Sequence, residues 1–153
     1  MHDIGNIVNR KDHSQSGAVM AFRILDTMGM DAEEIAMIVT AIGNHDEGEG
    51  EAVSPLAAAL IIADKTDVRR TRVRNNDITS FDIHDKVNYS VISSELLFNK
   101  SKTELTLSLD VDTEISSVMD YFEIFLERMV MCKKACNCLG VTFALTVNGQ
   151  KIA

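Results

Sequence analysis

The chain lacks a membrane-spanning run, a basic excess and a disulfide framework, and each absence narrows its function. Its longest apolar stretch, Leu56 to Ala63, is far short of the ~20 residues that a spanning helix needs. Lys and Arg number 15 against 23 Asp and Glu, a formal net charge of −8. Such a chain has no basic footprint for non-specific nucleic-acid binding and is ill suited to anionic lipid. Met1-His2-Asp3 offers no basic n-region with an apolar run behind it, so no leader is expected. Cys132, Cys136 and Cys138 are odd in number and crowded together. That fits reduced thiols in a cytoplasmic protein better than bridges. Repeats and low-complexity tracts are absent too. What is there is a 153-residue chain, 46% hydrophobic and 25% charged, long enough to bury a core without staples.

Helical spacing dominates the first half. Met1 to about Ile7 reads as a helix end stopping at Gly5-Asn6. Val19, Phe22, Leu25 and Met28 mark one face of a helix over about Ser14–Met28, stopped at Gly29. Asp31 with Glu34 is a capping-box pattern, opening a helix that carries Ile35, Ile38, Val39 and Ile42 on one face. Asp46 to Glu51 reads as a solvated acidic loop, without the ligand spacing of an EF-hand. Ser54-Pro55 supplies a cap and a first-turn proline. The helix that follows, Leu56 to about Arg70, is nearly all apolar at first and is expected at the centre of its domain.

From about residue 75 the period changes. Leu105, Leu107, Leu109 and Val111 alternate with polar residues as a half-buried strand does. Val91 to Phe98 precedes it across Asn99-Lys100-Ser101-Lys102, as a hairpin partner. Thr113 can cap a helix whose face holds Ile115, Val118, Met119, Phe122, Phe125, Leu126, Met129 and Val130, ended by Gly140. Val141, Phe143, Leu145 and Val147 alternate again before the Asn148-Gly149 turn. The expectation is an α+β chain: a mostly helical domain over 1–74, then an extension over 75–153. The extension holds a small antiparallel sheet, with strands about 91–98, 103–111 and 141–147, backed by one helix over about 113–139.

The residues that carry chemistry lie in the helical half. His2-Asp3 precedes the Gly5 stop, and His13 and His45 stand at helix edges. Asp64 follows Leu60-Ile61-Ile62-Ala63. An ionised aspartate in such a run must be hydrogen-bonded, paired with a base or bound to a cation. Imidazole with carboxylate suits transition metals such as iron or manganese, which can activate water and neutralise a phosphoryl group. Lys65, Arg69, Arg70, Arg72 and Arg74 form a basic cluster in an acidic chain. Two explanations stand side by side: bidentate recognition of phosphate, or cations at a helix C-terminus paired with acidic surface. Cys132 and Cys136 share a helix face as small apolar packing. Met119 and Met129 read as core or dimer seam, and His84 has no motif around it.

In order, HDIGN (His2–Asn6), DHSQSGA (Asp12–Ala18), NHDEGEG (Asn44–Gly50) and ALIIADKTD (Ala59–Asp67) resemble the HD superfamily of metal-dependent phosphohydrolases. The resemblance covers residues 1 to about 74. An HD pair alone is a weak signal and recurs at His45-Asp46 and His84-Asp85; the ordered set is specific. His45-Asp46 is the poorer anchor, because Asp64 follows it closely and a glycine-rich loop comes next. The resemblance implies that His2, Asp3, His13, His45 and Asp64 bind one or two divalent transition-metal ions, with Asp3 bridging. Iron or manganese is favoured; magnesium, nickel, cobalt and zinc are compatible. Asp3 and Asp64 would be the catalytic carboxylates. Lys65, Arg69, Arg70 and Asn6 would meet phosphate, and Asp12 and Asp46 would orient imidazoles.

The pattern looks like the subgroup that includes diadenosine tetraphosphate hydrolases and HD-GYP phosphodiesterases. It implies hydrolysis of a phosphate ester or anhydride, with a nucleotide as substrate class, by metal-activated water. Two departures bear on this. Asn6 stands where the family has lysine, and the family has a further histidine on a helix upstream of the HD pair, for which His84 is one stand-in. Without upstream helices, apolar surface is expected to be left for a second copy or a partner. The departures also support a second expectation, a metal- or nucleotide-binding regulatory or dimerisation module without turnover.

Overall fold

The computed structural model describes residues 1–73, 75 and 77–153; among them lie five α-helices and one four-stranded sheet, an α+β fold. A 3-10 turn over Ile4–Ile7 precedes α1 (His13–Thr27) and α2 (Ala32–Gly43). Gly29, at φ 75°, turns the chain between them. Asp31 caps α2 by accepting a 2.8 Å bond from the Glu33 N–H. Helix α3 (Pro55–Lys65) begins at Ser54, whose Oγ accepts from the Ala57 N–H at 3.1 Å. It ends near Lys65, not Arg70, and packs against α2 and α5.

The buried face of α1 differs from the expected one. Leu25 is buried, but Val19 is 70% exposed and Phe22 51%, and Met28 also faces out. The inward face is His13, Ser14, Gly17, Ala18, Ala21 and Leu25. Small side chains let α1 approach α2 closely, and Ala18, Ala21 and Ile42 form a compact cluster there. The large apolar residues are left outside, with Ile7 and Val8 also exposed.

Beyond α3, Asp82 caps α4 (Ile83–Ser90), a helix for which the pattern gave no signal. It leads directly into β1 (Val91–Phe98), which pairs antiparallel with β2 (Glu104–Val111) as a hairpin. The Asn99 carboxamide oxygen closes the turn by accepting from Thr103 and Glu104 N–H. The expected antiparallel sheet is in fact mixed: β3 (Thr142–Val147) runs parallel to β2, with Leu107 opposite Leu145. The cause is α5 (Val118–Cys138). A 21-residue helix spans about 32 Å, enough to return the chain along the length of an eight-residue strand, so β3 starts beside the start of β2. A two-residue β4 (Gln150–Lys151) then turns back on β3 across Asn148-Gly149.

Helix α5 starts at Ser117, not Thr113. Ser117 Oγ accepts from the Asp120 N–H (3.1 Å), and Asp120 accepts from the Ser117 N–H (2.8 Å), a complete capping box. Its buried side is Tyr121, Phe125, Met129, Met131, Cys132, Ala135 and Cys136, while Met119, Leu126 and Val130 face solvent. Cys132 and Cys136 thus pack as expected, and burial pushes their thiols up to about 12 and about 11. The larger core joins Ala58, Ile61, Ile62 and Val68 to α5 and the sheet, so it draws on both sides of residue 74. No helix among the described residues is long and apolar enough to cross a membrane.

Candidate metal centre

Five side chains singled out from the sequence converge where the 3-10 turn, α1, the α2 terminus and α3 meet. Gly5 permits the approach: a Cβ there would lie 2.0 Å from the His13 carbonyl oxygen and 2.6 Å from the Gly17 nitrogen. No other residue lets the His2-Asp3 segment sit so close to α1. His13 is the first residue of α1, and His45 follows α2; they are 2% and 0% exposed.

Both buried imidazoles are held in one tautomer. The Nδ1–H of His13 donates to the Arg10 carbonyl (3.0 Å), and that of His45 to the Ile42 carbonyl (2.5 Å). A carbonyl only accepts, so Nδ1 carries a proton, and in the neutral ring Nε2 presents its lone pair. His13 Nε2 lies 3.3 Å from Asp3 Oδ1, and His45 Nε2 3.7 Å from the same oxygen. His2 Nε2 is 3.5 Å from Asp3 Oδ2 and 3.4 Å from Asp64 Oδ1. His45 Nε2 is buried with no hydrogen-bond partner. Donors bound at about 2.1 Å to one tetrahedral ion stand about 3.4 Å apart, which these separations match.

Two overlapping groups could therefore hold a metal ion, His2–His45–Asp64 and Asp3–His13–His45. Asp3 turns Oδ1 toward His13 and His45 and Oδ2 toward His2, one oxygen to each side. Burial raises the Asp3 carboxyl, but His2, His13, His45 and Arg10 together outweigh it and hold it below its ordinary 3.8. Asp64 behaves likewise: burial raises it, while a hydrogen bond from Lys65 and the charges of Lys65, His2 and His45 leave it lowered.

Lys65 faces inward at 4% exposure. Its Nζ lies 2.8 Å from Asp64 Oδ2, 3.4 Å from Glu47 Oε2 and 3.8 Å from Asp46 Oδ1. The other Asp46 oxygen is 3.6 Å from His13 Nδ1. Asp46 thus stands beside an imidazole as expected; Asp12 does not. It is exposed at φ 56°, ahead of α1, and its side chain makes no capping bond. The acidic loop is not wholly solvated, since Glu47 reaches Lys65 and, at 2.6 Å, Arg128 Nε on α5.

A cleft of about 960 Å³ opens on His2, Asp3 and Asp64, and Asn6, Arg10, Thr71 and Arg72 also line it. A polar cavity of about 30 Å³ lies beneath, and both Arg10 and Arg72 reach it. Arg69 and Arg70 point elsewhere. Arg69 pairs with Asp67 at 2.7 Å. Arg70 donates to the Tyr89 carbonyl (2.7 Å) and lies 4.5 Å over that ring, so it fastens the segment after α3 to α4. Arg74 lies outside the described residues. His84 is exposed on α4 and belongs to neither metal-capable group among the described residues.

Arg10, Glu47 and Arg128 went unforeseen. For Glu47 a signal existed, since a lysine beside Asp64 in an apolar helix needs carboxylates. For Arg128 none did, because it is brought in by tertiary packing alone. No family model, curated protein or solved structure matches this chain.

Proposed function

We propose that the chain is a metal-dependent phosphohydrolase of the HD type, acting on a phosphate ester or anhydride, with a nucleotide as the substrate class. The observation that carries this is the pair of buried imidazoles with their Nε2 atoms turned on Asp3, that of His45 without a hydrogen-bond partner. His2, Asp3, His13, His45 and Asp64 are the ligands; the mixed nitrogen and oxygen set favours iron or manganese. A divalent ion there would lower the pKa of water and neutralise phosphoryl charge.

The chain's own residues do the rest. Asp3 offers one carboxylate oxygen to each side of the site. The His13 and His45 rings are held rigid by backbone carbonyls, so no reorganisation is needed on binding. Lys65 fixes Asp64 by one oxygen and leaves the other toward His2. Arg10 and Arg72, which line both the cleft and the cavity below, replace Lys65, Arg69 and Arg70 as the groups that orient phosphate, with Asn6 as a neutral donor. Arg suits this task through paired, charge-assisted bonds.

Metal analysis of protein purified without added metal or chelator, beside Asp64→Ala, tests the site. About one or two equivalents are expected in the wild type and a loss in the variant; full metal content in Asp64→Ala overturns the ligand assignment. Hydrolysis of nucleotides by the loaded protein is then expected, with Arg10→Ala and Arg72→Ala raising KM. The second reading, a binding module without turnover, draws on Asn6 in the lysine position and on Lys65 being engaged internally. Metal-loaded protein that binds nucleotide but releases no phosphate would favour it.

A further inference from the structure

Lys65, among the most buried charged groups at the site, is surrounded by three carboxylates, and one of these, Glu47, is held from the far side by α5. Glu47 Oε1 meets Arg128 Nε at 2.6 Å, and Glu47 Oε2 meets Lys65 Nζ at 3.4 Å. Lys65 Nζ in turn holds Asp64 Oδ2 at 2.8 Å, and Asp64 Oδ1 faces His2. The chain of contacts runs unbroken from the C-terminal helix to a ligand atom. Arg128 also lines the 30 Å³ cavity, with Asp3, His13 and Asp64, and rests 4.7 Å over the Phe125 ring, itself fully buried in the core.

The charges explain why Arg128 is needed. Asp46, Glu47 and Asp64 gather around one buried ammonium. Lys65 and Arg128 are the two cations that hold Glu47, one on each carboxylate oxygen. Without Arg128, Glu47 loses the contact that turns it inward, and Lys65 loses the partner that sets its distance from Asp64. Outer partners of this kind orient ligands that they do not touch.

We infer that Arg128 is a positioning residue for the centre: through Glu47 and Lys65 it sets the Asp64 carboxylate, so the C-terminal helix is part of the metal site. The inference rests on the proposed metal reading. Its test is Mn²⁺ affinity of the full chain, by titration calorimetry, with melting temperature followed in parallel without metal. Arg128→Met and Glu47→Gln are each expected to weaken Mn²⁺ binding about tenfold or more. The double variant should be no weaker than either, since both break one chain of contacts. Arg128→Lys, which keeps the charge, should recover much of the affinity. Glu127→Ala, next to it and exposed, should change nothing. Unchanged Mn²⁺ affinity in both Arg128→Met and Glu47→Gln, with binding lost in Asp64→Ala, would overturn the inference and leave the metal site standing. A fall in melting temperature alone would also overturn it, making Arg128 a core anchor. A wild-type chain that takes up no Mn²⁺ would overturn the metal reading, and this inference with it.

Discussion

Lys65 has almost no solvent and three carboxylate neighbours, Asp64, Glu47 and Asp46. Removing one member of a buried charge set strands the others, at a cost of about 3–5 kcal/mol. Lys65→Met should therefore lower the stability of the metal-free chain at neutral pH by about that much, read from urea unfolding. The pH dependence fixes the cause. Asp64 and Glu47 are held below their ordinary 3.8 and 4.5, so their contribution is full above those values and is lost as pH falls through the lower folded values. In Lys65→Met they lose the ammonium that lowers them most while burial still raises them, so acid relieves the buried charge. The gap between wild type and variant should close below pH ~4.5; a gap that stays constant to pH 3 would assign the loss to packing. Asp64 was legible in the sequence by this same logic, since a charge in an apolar run must be compensated. Applied to Lys65, it would have pointed to internal carboxylates and away from phosphate.

At the scale of the element, periodicity located helices and strands well but assigned faces and directions poorly. On α1 the largest apolar residues, Val19, Phe22 and Met28, suggested the core face. Close packing on α2 instead selects the small side chains Gly17, Ala18 and Ala21. On α5 the buried stripe runs through Tyr121, Cys132 and Cys136, none of which stands out in a hydrophobic pattern. Burial separates the two faces of α1 energetically. Leu25→Ala, at a site 4% exposed, should cost about 2–4 kcal/mol, and Phe22→Ala, which faces solvent, less than about 1. Comparable losses at both positions in denaturant unfolding would return the face to the expected stripe. Strand direction was illegible for a different reason. Alternation marks a strand but has no sign, and only the length of α5 decides that β3 runs parallel to β2.

For the whole molecule, the change of pattern near residue 75 marks a change of secondary structure that the packing does not follow. Ile61 and Ile62 of α3 share one core with Phe125 of α5 and Leu107 of the sheet. A core common to both segments predicts one cooperative transition. Helical signal in the far-ultraviolet and tyrosine signal from the buried Tyr121 should lose their native values at the same denaturant concentration. Two separated midpoints would divide the chain near residue 74. The centre itself was half legible. The five residues proposed as ligands lie in short ordered motifs, but Arg10, Glu47 and Arg128 enter through the path of the chain in space.

The shared core also means that free energy supplied at one end is felt at the other. An ion held by His2, His45 and Asp64 would bind the folded chain and not the unfolded one. At a hundredfold excess over its dissociation constant it adds about 2.7 kcal/mol to every opening that requires global unfolding. The amide proton of Leu107, on the strand between β1 and β3, would then exchange about a hundredfold more slowly, though no ligand comes near it.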